Sequence, residues 1–145
     1  MLDLEQELDS VLAALDASAI EYALCGGLAM AVHGRCEAPL DVDILIKRDD
    51  SYRATNAIRR DLETLIVRFE PMLAAFASID LQPFVWRGRT IRVASNEALR
   101  RIRPRLLSSA MGTVDYSEKA IDLRIRQVSQ LRRLCLSLGK AKPSP

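Results

Sequence analysis

Two glycines and two aspartates in the first third of the chain are suited to phosphate chemistry. Gly26–Gly27 ends a short apolar run, and Asp41 and Asp43 flank Val42 in a second apolar run. Glycines let the backbone approach a phosphate group closely, and carboxylates bind the divalent cations that accompany nucleotides. The segment therefore predicts a site for a metal-bound nucleotide.

The spacing of the two aspartates brings their carboxylates together. Side chains alternate between the two faces of a strand, so Asp41 and Asp43 project from the same face. Adjacent carboxylates repel each other, and a bound Mg²⁺ (or Mn²⁺) relieves that repulsion. A third carboxylate on a neighbouring strand would complete a two-metal site. Asp80 is the best candidate because it lies in an apolar, strand-like context, SIDLQPF.

A short helix is expected directly after the glycine pair, over residues 28–33. The unpaired N–H groups and the positive dipole end at the start of a helix attract anions. A phosphate group above Gly26–Gly27 would therefore lie near cations bound to Asp41 and Asp43.

Apolar periodicity places these residues in a chain of alternating helices and strands. Helices are predicted over residues 3–17, 28–33, 50–62, 95–103 and 117–138. Strands are predicted over residues 22–25, 42–46, 64–68, 79–84 and 90–94, with a hairpin turn at Arg87–Gly88. Residues 69–77 stay open between helix and strand. The order predicts an α+β (mixed α/β) fold, in which a small twisted mixed sheet packs with helices.

The chain length of 145 residues fits a single domain. This domain is predicted to span residues 1–139, with its core in residues 20–103, and a flexible tail is expected at 140–145. No apolar run approaches the roughly 18–20 residues of a membrane span, and the acidic N-terminus is unlike a signal peptide. We therefore expect a cytoplasmic protein without a membrane partner, and the sequence leaves the oligomeric state open.

The three cysteines and one histidine give little support to a disulfide framework, a zinc site or a nucleophilic centre. Cys25, Cys36 and Cys135 are too few and too scattered for a disulfide framework. A zinc site would need all three cysteines to converge with His33. No sequence context supports a Cys/His nucleophile, and His33 is expected to be a hydrogen-bonded residue at a helix end.

Charge is distributed unevenly along the chain. Residues 1–86 hold 7 Lys or Arg and 15 Asp or Glu, a net charge of −8. Residues 87–145 hold 14 Lys or Arg and 4 Asp or Glu, a net charge of +10. One interpretation is a metal-binding half and a half that contacts a polyanion. The alternative is that the two halves neutralise each other's surfaces.

Taken together, these motifs resemble the nucleotidyltransferase superfamily related to DNA polymerase β. The family pattern is a strand, Gly-Gly or Gly-Ser, and then Asp-apolar-Asp; here 13 residues separate Gly27 from Asp41. The stretch GGLAMAVHG is similar to AbiEii-type and allied small bacterial proteins, more than to lincosamide or aminoglycoside transferases. The stretch IRVASNEALRRIR resembles the final strand and following helix of the family. The resemblance covers about residues 20–103.

The resemblance implies metal-dependent transfer of a nucleoside monophosphate from an NTP to a hydroxyl, with release of pyrophosphate. Carried over by position, the catalytic and metal-binding residues are Asp41, Asp43 and Asp80. The nucleotide-binding residues are Gly26, Gly27 and Arg103. Asp80 would also help to deprotonate the acceptor hydroxyl, in a mechanism that consists mainly of positioning and charge neutralisation.

The acceptor is less well defined, because Glu37 and Pro39 stand where related proteins carry Arg and Thr. The leading hypothesis is a macromolecular acceptor, either a tRNA end or a partner protein's hydroxyl, as in toxin–antitoxin systems. The second hypothesis is a catalytically silent module of the same fold, antitoxin-like or RNA-binding. The third is a nucleotidyltransferase that modifies a small molecule such as an antibiotic.

Overall fold

A six-stranded mixed sheet organises the computed structural model, which describes residues 3–36, 42–62, 65–72, 80–101 and 118–145. Its strands are β1 (Tyr22–Cys25), β2 (Val42–Lys47), β3 (Val67–Met72), β4 (Leu81–Trp86), β5 (Arg89–Ala94) and β6 (Lys142–Pro143). Their spatial order is β3-β2-β1-β5-β4-β6. The β2–β3 and β1–β5 pairs are parallel, and the other pairs are antiparallel.

Helices connect and cover these strands. They are α1 (Leu4–Ala17), α2 (Gly26–Val32), α3 (Ser51–Ile58), α4 (residues 96–101, where the described segment ends) and α5 (Glu118–Leu138). A 3₁₀ turn, Arg48–Asp50, precedes α3. This arrangement confirms the predicted mixed α/β class. Within the described part of the chain, no helix is long and apolar enough to cross a membrane.

The first helix shows how local sequence sets the fold. The Asp3 carboxylate accepts hydrogen bonds from the backbone N–H groups of Glu5 and Gln6, at 3.1 and 3.2 Å. This is the usual N-cap arrangement, worth about 1 kcal/mol. Apolar residues at helical spacing on α1 are buried in the core: Leu4, Leu8, Val11, Leu12 and Leu15.

The centre of the core lies at β1 and β2, the inner strands of the sheet. All four residues of β1 are buried, and Ile44 and Ile46 of β2 are fully buried. The end of α5 packs on the same core through Leu134 and Leu138. Trp86 of β4 fastens this helix further, since its indole N–H donates to the Ser137 hydroxyl at 3.0 Å.

The predicted hairpin between β4 and β5 is present. Arg87 and Gly88 form its turn, and both have positive φ, at 52° and 74°. Two successive positive φ values are typical of a type I′ turn, whose twist matches that of the flanking strands. The strands pair from Leu81 opposite Ala94 to Trp86 opposite Arg89.

The C-terminal residues differ from the predicted flexible tail at 140–145. Lys142 and Pro143 pair with β4, and the Ser144 N–H donates to the Pro83 carbonyl at 3.0 Å. Proline is tolerated there because β6 lies at the edge of the sheet, where one side of the strand needs no ladder hydrogen bond. A Pro- and Lys-rich terminus carries no local signal for such a short strand.

Two other elements shift relative to the predictions. Helix α3 ends at Ile58 rather than near residue 62. Strand β3 runs from Val67 to Met72 instead of over residues 64–68, and it includes Pro71. It also forms an edge of the sheet, so the proline again costs no central ladder bond. The rest of the ambiguous stretch, residues 73–77, lies outside the described residues.

Tyr22, the first residue of β1, has an unusual buried hydroxyl. The residue is 5% exposed, and its hydroxyl has no hydrogen-bond partner among the described residues. Burial raises the pKa of the Tyr22 phenol from 10.0 to about 12, and the negative charge of Asp16 adds to the effect. The raised pKa therefore links stability to pH. Its contribution to the free energy of unfolding is fully present below pH 10 and is lost as pH rises toward 12.

We expect the substitution Tyr22→Phe to remove this alkaline loss. Near pH 7 the variant should match the native free energy of unfolding or exceed it by up to about 1 kcal/mol, because an unpaired buried hydroxyl disappears. Near pH 11 it should keep roughly 1–2 kcal/mol that the native chain loses. Urea unfolding at both pH values is the measurement. Tyr52→Phe, at a residue 79% exposed, is the control. A marked loss of stability in Tyr22→Phe at neutral pH would contradict the account.

Candidate active site

The glycine pair lies inside the first turn of α2. The sequence predicted that the helix begins at Leu28, but the structure begins it at Gly26. Gly26 has a φ of +61°, a left-handed conformation that residues with a Cβ rarely adopt. Glycines ordinarily weaken helices, so sequence reasoning placed the pair before the helix. Their presence in the first turn indicates a requirement other than helix stability.

That requirement is the carboxylate of Asp43. Strands β1 and β2 pair so that Cys25 lies opposite Asp43, directly beside Gly26. A Cβ atom added at Gly26 would lie 2.5 Å from Asp43 Oδ2 and 3.0 Å from Asp43 Cβ. The half-buried carboxylate thus occupies the space that any other residue at position 26 would need. Gly26 and Asp43 form one steric unit.

Charged residues of both signs surround Asp43. Asp43 pairs with Arg68 in β3, and Glu70 lies two residues further along that strand. The pKa of the buried Cys25 thiol responds to these neighbours. Burial raises this pKa well above 9.0, and the negative charges of Asp43 and Glu70 raise it further. Cys25 is therefore a neutral, fully buried packing residue, which does not suit a thiolate nucleophile.

Asp80 lies at the same end of the strands as Gly26 and Asp43, and we call this end of the sheet the site edge. It immediately precedes β4, is exposed, and accepts a hydrogen bond from the Ser95 N–H through its backbone carbonyl at 3.0 Å. Because β1 and β5 are parallel, with Leu24 opposite Val93, their carboxyl ends meet the amino ends of β2 and β4. Gly26, Asp43 and Asp80 therefore share one edge.

The sequence predicted that Asp80 lies on a strand next to that of Asp43, but the structure places it away from any strand that neighbours β2. Strands β1 and β5 stand between β2 and β4. With about 4.8 Å between neighbouring strands, the backbones of Asp43 and Asp80 would be roughly 14 Å apart in a flat sheet. A strand order of this kind depends on long-range pairing, and the spacing of aspartates along the chain carries no signal for it.

Several predicted site residues cannot be placed in this geometry. Asp41, Glu37, Pro39 and Arg103 lie outside the described residues. Within the described ranges, no three His, Cys, Asp or Glu side chains are grouped so that they could hold a metal ion. The carboxylate of Asp43 is nevertheless a hard oxygen ligand of the kind that Mg²⁺ prefers. The metal site stays a prediction.

Two long-range contacts hold the chain in place next to this edge. The sequence did not predict them. His33, at the end of α2, donates from Nε2 to the Ala94 carbonyl at 2.8 Å. The Arg35 guanidinium donates to the side-chain oxygen of Asn96 in α4. The expectation that His33 is a hydrogen-bonded helix-end residue agrees with this geometry. The partners stand 61 residues apart, so no local pattern announces them.

The start of α4 lies at the same edge. Ser95, directly after β5, is buried and caps the helix, because its hydroxyl accepts a hydrogen bond from the Ala98 N–H at 3.0 Å. Its own N–H donates to Asp80. The predicted cap at Ser95 is present, and it joins α4 to the segment that carries Asp80.

The glycine turn, the strand carrying Asp43 and the mixed sheet together are those of a nucleotidyltransferase. A family model described as aminoglycoside-2''-adenylyltransferase matches residues 7–128. The chain belongs to this family of nucleotidyltransferase enzymes. The superfamily and the enzyme class predicted from the sequence are thereby confirmed, whereas a special closeness to AbiEii-type proteins stays a prediction.

Solved structures show the same fold. The crystal structure of ANT(2'')-Ia in complex with adenylyl-2''-tobramycin matches with a TM-score of 0.55 and 17% identity, over 92% of this chain and 97% of that chain. The solution structure of the antibiotic-resistance factor ANT(2'')-Ia matches with a TM-score of 0.52 and 18% identity, over 93% and 91%. No curated protein sequence matches the chain.

The steric unit of Gly26 and Asp43 predicts a difference between two glycine substitutions. Gly26 and Gly34 both have positive φ, so each alanine variant incurs backbone strain of roughly 1–2 kcal/mol. Only at Gly26 does the new Cβ meet another atom, since nothing lies within 4 Å at Gly34. We expect Gly26→Ala to lower the free energy of unfolding by at least about 2 kcal/mol more than Gly34→Ala. Equal losses in urea unfolding would refute the close contact.

Proposed function

We propose that this protein transfers an adenylyl group from ATP to a hydroxyl of an aminoglycoside. The observation that carries the proposal is the contact between Gly26 and Asp43. It places a carboxylate, a potential metal ligand, beside the first turn of α2, where the phosphate groups of a nucleotide would lie. Membership in the aminoglycoside-2''-adenylyltransferase family supports both the donor and the class of acceptor.

The nucleotide would lie above the first turn of α2. Gly26 and Gly27 would offer backbone N–H groups of this first turn to the triphosphate. Arg103 is the further nucleotide contact that the resemblance implies. The half-buried Asp43 is thus suited to a role beside the phosphate groups.

Asp41 and Asp43 would hold Mg²⁺ (or Mn²⁺), which supplies charge neutralisation for the triphosphate and for the departing pyrophosphate. Asp43 reaches this position because β1 and β2 pair in a register that sets it beside Gly26. A carboxylate next to a phosphate would otherwise repel it, so the proposal requires that nucleotide binding depends on the metal.

Asp80 would serve the acceptor. It is exposed at the same edge, on the other side of β1 and β5 from Asp43. In the proposed step the acceptor oxygen bonds to the α-phosphorus of ATP, its proton passes to the Asp80 carboxylate, and the bond to the bridging oxygen of pyrophosphate breaks.

Charge also favours an aminoglycoside acceptor. Aminoglycosides carry several ammonium groups, and residues 1–86 have a net charge of −8. Asp43 and Glu70 contribute negative potential near the proposed site, as the raised pKa of the Cys25 thiol indicates. Negative charge at the site would attract a polycation, although Arg68 opposite Asp43 and the net charge of +10 in residues 87–145 offset it in part.

A macromolecular acceptor, such as a tRNA end or a toxin–antitoxin partner, is the second candidate. Its support is the pair Arg100 and Arg101, which are exposed on α4 and follow the site edge in the chain. Arg101 is paired with Glu97 at 2.9 Å, which reduces the positive charge offered there. Membership in the family therefore supports the small acceptor as the first candidate.

The test is turnover of labelled ATP with tobramycin, with tRNA, and with neither, each in Mg²⁺ and in EDTA. We expect Mg²⁺-dependent release of pyrophosphate only with tobramycin, and a product whose mass is that of tobramycin plus an adenylyl group. Transfer to tRNA would establish the second candidate instead. Failure to transfer to any acceptor would overturn the proposal in favour of a silent module.

Asp43→Asn should lower kcat/KM at least about a hundredfold, because it removes a charged metal ligand beside the triphosphate. Asp49→Asn is the matched control: it makes the same chemical change at an exposed residue in the 3₁₀ turn after β2, at the opposite end of that strand from Asp43, and should leave turnover within about twofold. Steady-state pyrophosphate release measures both variants. Unchanged turnover in Asp43→Asn would remove Asp43 from the mechanism.

A further inference from the structure

A partly open cavity lies at the end of the sheet opposite the site edge, between the amino ends of β1 and β5. It has a volume of about 260 Å³, and its lining includes Ile20, Tyr22 and Thr90. Strands β1 and β5 share one residue pair, Leu24 opposite Val93, so their ladder does not extend to their amino ends. The cavity occupies the place where the two strands are no longer paired. The proposed nucleotide site lies at the carboxyl ends of the same strands and is separate from it.

A tight turn after α1 forms one wall of the cavity. The Ile20 N–H donates to the Leu15 carbonyl and the Ala19 N–H donates to the Asp16 carbonyl, both at 3.0 Å. Ala19 has a φ of +53°. These two bonds and the left-handed residue are those of the Schellman motif, which ends many helices. The motif fixes the backbone that carries Asp16 and Glu21, and both residues line the cavity.

Side chains of both charges line this cavity. Asp16 and Glu21 supply carboxylates, and Arg92 of β5 supplies a guanidinium. Each carboxylate has a cationic partner: Asp16 Oδ2 lies 2.6 Å from Arg89, and Glu21 Oε2 lies 2.9 Å from Lys47. Each of these pairs involves one oxygen, so the other oxygen of each carboxylate can accept a further hydrogen bond. The lining thus offers acceptors from α1 and the turn, and a cationic donor from β5.

The Tyr22 hydroxyl adds a further donor. Tyr22 lines the cavity and is 5% exposed, and its hydroxyl has no hydrogen-bond partner in the part of the chain that the structure describes. Buried hydroxyls ordinarily have a partner, which a bound molecule would supply here. Burial and then the charge of Asp16 raise the pKa of the phenol to about 12, whereas Arg89 and Arg92 lower it. The phenol is therefore protonated at neutral pH and can donate to an acceptor.

We propose that this cavity binds a small zwitterion, a molecule with one carboxylate and one ammonium group, such as an amino acid. The carboxylate of the ligand would accept hydrogen bonds from the Arg92 guanidinium and the Tyr22 hydroxyl. Its ammonium group would donate to the second oxygens of Asp16 and Glu21. A ligand of one charge would meet a like charge in the lining, which is unfavourable. This inference does not depend on nucleotide binding or on adenylyl transfer.

The test is titration of the full-length protein with ω-amino acids of increasing length, from glycine to 6-aminohexanoate, by isothermal titration calorimetry. We expect one length to bind best, because the groups that line the cavity are held at fixed distances. The simple amine and the simple carboxylate of that length should bind at least about tenfold more weakly. Absence of binding up to about 10 mM, or equal binding of a compound with one charge, would overturn the proposal. Competition by ATP and Mg²⁺ would do the same, because it would place the ligand at the site edge.

Two variants with matched controls locate the ligand. Arg92→Gln should weaken binding at least about tenfold, and Tyr22→Phe at least about fivefold, because each removes a donor to the carboxylate of the ligand. Arg53→Gln and Tyr52→Phe make the same changes at exposed residues of α3 and should bind within about twofold of the native chain. Unchanged affinity in Tyr22→Phe would overturn the assigned site, even if Arg92→Gln failed to fold.

Discussion

The structure depends on the close approach of a backbone and a carboxylate at the junction of β1 and α2. Pairing of β1 with β2 sets Cys25 opposite Asp43, so the next residue must turn away beside that side chain. Only glycine fits, because position 26 has a positive φ and no room for a Cβ. The same constraint that begins α2 also leaves bare backbone next to a carboxylate, which is the arrangement that a metal-bound phosphate needs.

Long-range pairing assembles the rest of the edge around this junction. The parallel contact of β1 with β5 brings the end of β5, and with it Asp80, to the level of Gly26. The bonds from His33 to the Ala94 carbonyl and from Arg35 to Asn96 then hold the end of α2 against β5 and α4. These contacts anchor the residues that precede the Asp41–Asp43 motif, so fold stability and site geometry are linked.

The sequence predicts those parts of the fold that have a local cause. Cap and periodicity identify α1, paired turn residues identify the hairpin at Arg87–Gly88, and buried apolar runs identify β1 and β2. Strand β6 was missed because two residues at a sheet edge need no pattern of their own. The start of α2 was misplaced because the helix accepts its glycines for the sake of Asp43, a partner 17 residues away whose contact no propensity records.

In the candidate site, too, some features have a local cause in the sequence and others depend on distant parts of the chain. Spacing predicts that the glycines and Asp43 lie close together, as the structure shows for Gly26, because strand alternation and the glycine turn are local rules. The position of Asp80 relative to Asp43 follows from strand order, so it could not be predicted from spacing. The acceptor was the least accessible feature, because large and small acceptors can share one nucleotide site; the small acceptor proposed here rests mainly on membership in the family.

The most direct measurement is a crystal structure with Mn²⁺ and a non-hydrolysable ATP analogue, in which anomalous scattering locates the metal. The account predicts a Mn²⁺ ion within roughly 2.5 Å of a carboxylate oxygen of Asp43, with the triphosphate over Gly26–Gly27. A metal and triphosphate bound elsewhere, with Asp43 free of both, would contradict it.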